Sequence, residues 1–150
     1  AWRRFEYKGK TKNGILVYDD YGHHPTEIKA TLKGAREFFG QPTDGKKIWC
    51  VFQPHLYSRT KLLLSDFGKS FSDADEIILT NIYAAREKRD ESINSKILVE
   101  EIIKNGGKAV YMKSFNKIAE FVVKNTKNGD VVITMGAGDI YKVGEKLLKF

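Results

Sequence analysis

The chain has one cysteine, Cys50, in 150 residues, so no disulfide can form within it and a disulfide scaffold is excluded. A lone thiol inside an apolar, strand-like run reads as an inert buried side chain in a reducing, cytoplasmic protein. No apolar run approaches the roughly 20 residues needed to span a bilayer, and no membrane partner is expected. Ala1-Trp2-Arg3-Arg4-Phe5-Glu6 starts basic but lacks the apolar stretch of a signal peptide. Histidine is scarce as well, at three, and no helical His-x-x-x-His or cysteine pair offers a ready metal framework. There is no internal repeat, low-complexity tract or interior domain boundary, so residues 1–150 read as a single domain.

Charge is not scarce, but it is unbalanced. Twenty-six Lys and Arg against 19 Asp and Glu leave +7, which is compatible with nucleic acid, an anionic surface or a phosphorylated small ligand. The lysines are scattered rather than massed, and no helix-turn-helix or aromatic single-strand signature accompanies them. A basic phosphate- or nucleic-acid-binding α/β module is the alternative kept open by the charge; nucleic acid is not the expected partner.

Arg4, Glu6 and Lys8 alternate with Phe5 and Tyr7, the period of a half-exposed strand. Lys12-Asn13-Gly14 is a hairpin turn signal, and Ile15 to Tyr18 makes the second strand. The chain therefore begins in mid-sheet, as expected of a piece of a longer protein. Pro25 suits the first turn of a helix whose Ile28, Leu32, Ala35 and Phe39 share one face, and Gly40-Gln41-Pro42 ends it. Lys47 to Gln53 reads as a buried strand. Leu63, Phe67 and Phe71 place a helix after it. Glu76 to Ile82, Ala109 to Met112 and Val131 to Thr134 are further strands. Helices between and after them are marked by Leu98 and Ile102, by Ile118 and Val122, and by Val143 and Leu147. After the hairpin, strand and helix alternate to the end. The fold class is doubly wound α/β, Rossmann-like: a mostly parallel sheet with helices on both faces, opening with a β-hairpin.

The unusual residues are distributed asymmetrically. Asp19-Asp20-Tyr21-Gly22-His23-His24, His55 to Arg59, Tyr83 to Glu87 and Gly136-Ala137-Gly138-Asp139 each follow a strand. In a parallel sheet all four loops share the carboxyl edge, where open α/β sheets bind ligands. The turns at the other edge (residues 41–45, 72–73, 105–107 and 128–129) carry plain turn chemistry.

Several chemistries fit these loops. Asp19, Asp20, His23, His24 and His55 could ligate a metal, but adjacent histidines in a tight turn point apart, and a helix cap or substrate contacts suit them better. Gly40 to Lys47 is a near P-loop that fails: a lysine replaces the Ser/Thr that would hold magnesium, and the segment precedes a strand instead of opening a helix. Gly136 and Gly138 could offer backbone N–H groups to an anion, or could simply allow close packing. Arg59 and Arg86 suit bidentate contacts to a carboxylate or phosphate.

Asp-Asp-Tyr-Gly-His-His-Pro-Thr-Glu-Ile (19–28), Phe-Gln-Pro-His-Leu-Tyr-Ser-Arg-Thr (52–60), Ile-Tyr-Ala-Ala-Arg-Glu-Lys (82–88) and Met-Gly-Ala-Gly-Asp-Ile (135–140), with Arg3-Arg4-Phe5-Glu6 ahead of them, resemble the C-terminal domain of the Mur ligase family, in its L-alanine-adding form. The resemblance implies a three-domain peptidoglycan enzyme whose UDP-sugar and P-loop domains precede this one. ATP, with Mg2+, would activate the carboxylate of UDP-N-acetylmuramate as an acyl phosphate that L-alanine attacks. It implies that Asp20 holds the ATP ribose and Arg4 approaches the phosphates. Tyr21 and His23 would line the L-alanine pocket, and Arg59 would pair with the alanine carboxylate. His24, His55, Arg86, Gly136 and Gly138 would be supporting positions. Leu56, where many members carry arginine, and Arg89-Asp90-Glu91-Ser92, where a proline is common, depart from the pattern. The domain alone is not expected to bind a cofactor of its own or to catalyse ligation.

Overall fold

The chain opens with the expected hairpin: Glu6–Lys10 (β1) pairs antiparallel with Leu16–Asp20 (β2), with a bulge between Tyr7 and Gly9. The computed structural model describes residues 3–41 and 45–150; the turn residues Pro42, Thr43 and Asp44 lie outside it, as do Ala1 and Trp2. Pro25–Phe39 (α1) leads to Ile48–Phe52 (β3). Tyr57–Leu62 (α2) and Leu64–Gly68 (α3) lead to Glu76–Leu79 (β4). Ser95–Lys104 (α4), Ala109–Tyr111 (β5), Phe115–Asn125 (α5), Val131–Met135 (β6) and Tyr141–Leu147 (α6) complete the chain.

Strand order is β1-β2-β6-β3-β4-β5, and every pairing except β1 with β2 is parallel. β6 lies at the centre, inserted between β2 and β3. That position explains its composition. All residues of β3 and of β6 are buried, because a strand covered on both faces must be apolar at every position, not at alternate ones.

The two faces have separate cores. Ile28 and Leu32 of α1, Phe67 of α3 and Leu98 and Ile102 of α4 pack with Cys50, Phe52, Ile133 and Met135 on one face. Ile118 and Val122 of α5 and Val143 and Leu147 of α6 pack with Val17, Trp49, Val51 and Val132 on the other. Phe67 is fully buried; truncating such a ring costs about 3–5 kcal/mol. The predicted single helix carrying Leu63, Phe67 and Phe71 is instead two short helices broken at Leu63 (φ −107°). The four-residue spacing survives the break, because Phe67 and Phe71 both reach the core.

At the amino edge of the parallel strands the carboxylates serve the fold. Asp75 accepts from the Ile48 amide and from buried Arg36, and Asp130 accepts from the amides of Lys47 and Lys127. The carboxyl edge is different. Among the described residues, the non-glycine positions with positive φ are Arg3, Phe5, Leu56 and Ala85, all on loops at that edge. Backbone strain concentrates where function is built.

Candidate active site

The connection after β2 leads to α1 on one face, whereas that after its neighbour β6 leads to α6 on the other. Loops that diverge in this way open a crevice at the carboxyl edge. Arg3 fills it. Its Nε donates to Asp19 Oδ2 at 2.7 Å, Nη2 to the Gly136 carbonyl at 2.7 Å and Nη1 to the Gly138 carbonyl at 3.2 Å. The guanidinium also lies 5.3 Å from the ring centre of Tyr21 and 5.0 Å from that of Tyr141. Asp19 in turn accepts from Thr134 Oγ1 at 2.7 Å. The glycine turn thus presents its carbonyls to a cation, and the Gly136 N–H is taken by the Asp20 carbonyl. Glycine is needed there for packing: a Cβ on Gly136 would stand 2.8 Å from the Gln53 carbonyl oxygen.

Asp20 is 8% exposed. Its carboxylate accepts from the Phe5 and Gly22 amides at 2.8 and 2.7 Å, so it fastens the N-terminal segment to the turn after β2. It also lines a cleft of about 590 Å3 with Arg4, Tyr21, Thr26 and Thr31. Arg4 is exposed on the rim of that cleft, whereas its neighbour Arg3 is buried. Of the adjacent pair, Arg3 does the structural work and Arg4 is left to face the cleft.

The histidines of the turn have divided duties. His24 is the N-cap of α1: its Nδ1 accepts from the Thr26 amide at 3.2 Å, and the Glu27 carboxylate accepts from the His24 amide at 3.0 Å, a capping box. Burial acts to raise the Glu27 carboxyl. The amide N–H groups of His23 and His24, with the charges of both rings, outweigh it and hold the group below its ordinary range. His23 turns the other way. Its ring lies 5.3 Å from that of Tyr21 and 5.2 Å from that of His55, which itself stacks on Tyr83 at 6.0 Å and 16°. Tyr21, His23, His55 and Tyr83 therefore form one continuous aromatic wall, contributed by three different loops. The five residues weighed as metal ligands are dispersed by these duties, and among the described residues no group of three or more His, Cys, Asp or Glu is placed to hold a metal ion.

The wall borders a cluster of unmatched polar atoms. Besides Trp49 Nε1 within β3, the buried side-chain atoms without a hydrogen-bond partner among the described residues are Gln53 Oε1, His55 Nδ1 and Arg59 Nη1. All three follow β3, within seven residues of chain. Buried polar groups are normally paired, so three orphans between the end of β3 and the first turn of α2 make this stretch the candidate ligand site. The loop is held firmly. The Leu56 amide donates to the Tyr83 carbonyl, the Tyr83 amide to the Pro54 carbonyl, and Glu87 accepts from the Ser58 amide and hydroxyl. Burial depresses the His55 imidazole below its ordinary value, and the charges of His23 and Arg59 add to the effect while Glu87 opposes it. His55 is thus kept neutral beside a cationic guanidinium.

Arg86 is exposed on the turn after Ala85, outside the wall. Arg3, Gln53, Tyr83 and Tyr141 were not individually singled out from the sequence. Arg3 is hidden by its twin Arg4, and Gln53 by its place at the end of an apolar run.

Residues 3–138 match the family model described as Mur ligase, glutamate ligase domain. The chain belongs to the Mur ligase family. Relatives of this Mur ligase chain include the UDP-N-acetylmuramate–L-alanine ligases of Acetivibrio thermocellus, 55% identical over 98% of the chain, and of Caldanaerobacter subterraneus, 53% identical over 98%. The chain spans only 30% and 31% of their lengths. The crystal structure of UDP-N-acetylmuramate–alanine ligase from Thermotoga maritima superimposes with a TM-score of 0.74 at 28% identity, covering 98% of this chain and 29% of that one. The crystal structure of a domain described as from a UDP-N-acetylmuramate:L-alanyl-γ-D-glutamyl-diaminopimelate ligase of Haemophilus ducreyi matches at a TM-score of 0.70 and 26% identity, covering 97% of this chain and 98% of its own. The six-stranded, mostly parallel fold is therefore that of a Mur ligase C-terminal domain.

Proposed function

We propose that this chain is the C-terminal, amino-acid-binding and ATP-closing domain of a UDP-N-acetylmuramate–L-alanine ligase acting in the cytoplasm in peptidoglycan synthesis. The observation that carries the reading is the unpartnered, buried Nη1 of Arg59 beside the aromatic wall. A planar fork with a free N–H in a partly dry site suits a carboxylate better than any neutral group. The 55% identity to a ligase for L-alanine supports that amino acid as its source.

In this reading Arg59 takes the alanine carboxylate, and Tyr21 and His23 line the pocket. Arg4 and Asp20 face the cleft at the start of α1 where the nucleoside of ATP sits, with Asp20 toward the ribose and Arg4 toward the phosphates. The phosphates and Mg2+ are held mainly by the P-loop domain that precedes this one in the family. A muramoyl carboxylate oxygen takes the γ-phosphoryl group and ADP leaves. The alanine nitrogen, having lost a proton, then attacks the acyl carbon, and inorganic phosphate departs as the amide forms. The domain's share of catalysis is to hold the amine at that carbon, converting an encounter into a positioned reaction. The absence of massed basic residues on one segment gives the nucleic-acid reading no comparable support.

The test uses a full-length ligase carrying this domain. Arg59→Ala raises KM for L-alanine by about 10–100-fold, the value of one charge-assisted hydrogen bond, and changes KM for ATP far less. Equal constants for L-alanine before and after the substitution would remove Arg59 from the carboxylate. The isolated 150-residue chain hydrolyses no ATP; turnover by the purified chain contradicts the partial-domain reading.

A further inference from the structure

Tyr83 was not singled out for any role, yet its backbone and its ring are both held by neighbouring loops. Its backbone is tied on both sides to the loop after β3, with the amide to Pro54 and the carbonyl from Leu56, at 2.8 and 2.9 Å. Its ring stacks on His55, the histidine that touches His23 in the proposed pocket. Its other side leans on the glycine turn: a Cβ on Gly138 would stand 2.7 Å from Tyr83 Cδ2 and 2.5 Å from Gln53 Oε1. Gly138 itself cannot drift, because its carbonyl accepts from Arg3. The ring is wedged between an imidazole and a backbone that only glycine can provide. With 40% of its surface exposed, it still presents area to a bound molecule.

Resting on the amino-acid reading above, we propose that Tyr83 and Gly138 set the size of the amino-acid side chain the site accepts. Tyr83 closes the His55 end of the aromatic wall, opposite Tyr21, and Gly138 fixes how far the ring reaches inward. With the substrate carboxylate on Arg59 and its amine directed to the acyl carbon, the side chain meets this wall. A methyl fits and a longer chain meets the tyrosine ring. Such discrimination comes from excluded volume, where one methylene is worth about 10–200-fold.

The two residues make opposite predictions. In a full-length ligase carrying this domain, Tyr83→Ala widens the pocket, so the kcat/KM preference for L-alanine over L-2-aminobutyrate falls about tenfold or more, within the range one methylene sets. Tyr83→Phe, which keeps the ring, keeps the preference. Gly138→Ala pushes the ring inward, so the preference for glycine over L-alanine rises. Circular dichroism and melting temperature establish that each variant is folded; Tyr83→Leu replaces Tyr83→Ala if the latter is not. Unaltered side-chain preference in folded Tyr83→Ala or Tyr83→Leu and Gly138→Ala overturns the proposal. Arg59→Ala separates the two readings. If it raises KM for L-alanine while the Tyr83 variant discriminates as before, only the size assignment fails. If Arg59→Ala does nothing, the amino-acid reading itself has failed.

Discussion

Arg3 and Asp19, sixteen positions apart, form a buried ion pair at 2.7 Å with side chains only 8% and 3% exposed. Two carbonyls of the glycine turn and a threonine hydroxyl complete the arrangement. The pair joins the first described residue to the end of β2 and to the turn after β6. Removing one member of a buried pair strands the other charge, which costs about 3–5 kcal/mol. Arg3→Ala is therefore expected to lower the urea midpoint strongly. Combining it with Asp19→Asn recovers part of the loss, and the double-mutant cycle in denaturant unfolding measures the coupling. A loss below about 1 kcal/mol, the level of an exposed pair, contradicts the buried geometry.

His24 is a helix cap, so its replacement has a stability signature and not a substrate signature. His24→Ala is expected to cost about 0.5–2 kcal/mol, and His24→Ser or His24→Asp to restore most of it. Thermal unfolding reads this directly. The partner Glu27 has a depressed folded-state pKa, so the stability it adds is present above its unfolded value of about 4.5 and is lost as pH falls through the lower folded value. Glu27→Gln flattens that acid limb of the stability profile.

The imidazole of His55 titrates below 6.5, because burial and then the charges of His23 and Arg59 disfavour the imidazolium. A group depressed in the folded state adds stability above its unfolded pKa, and that stability is lost as pH falls through the folded one. An NMR pH titration of the ring proton is expected to show the low value, and Arg59→Ala to raise it. On the proposed reading, in which L-alanine places its carboxylate on Arg59, added L-alanine raises it as well. A pKa at or above 6.5 in the unliganded protein contradicts the packing around this ring.

Burial pushes the Cys50 thiol far above the usual thiol range, with the negative charge of Asp20 adding to it. The thiolate is the reactive species. Cys50 is expected to resist iodoacetamide in the native protein at neutral pH and to react at the rate at which the chain opens. Labelling at the pace of a free thiol contradicts its fully buried place in β3.

Much of this architecture is written in local pattern. The β/α alternation, the hairpin and the concentration of histidines on one edge all follow from periodicity and from Gly and Pro placement. Three features do not. The insertion of β6 between β2 and β3 depends on pairings of Val131 with Leu16 and with Ile48, far apart in the chain, which no local period records. The break at Leu63 is invisible because the apolar spacing runs through it unchanged. The division of labour between Arg3 and Arg4 depends on which guanidinium reaches the crevice, and two adjacent arginines are identical to any pattern. Tyr83 escaped for a related reason: its importance comes from Gly138, fifty-five positions away, and not from its own neighbours.

The central place of β6 has a consequence for how the protein comes into being. β2 and β3 share no ladder; each pairs with β6, which begins at Val131. While the chain is being synthesised, the hairpin with β2 and the block of β3, β4 and β5 are two fragments separated by a missing strand, about 10 Å apart in a finished sheet. Neither fragment can complete its sheet until β6 arrives, and the Arg3 latch needs Gly136 and Gly138. A nascent chain stalled before Val131 exposes two unpaired edges of apolar strand, the kind of surface that aggregates and that chaperones shield.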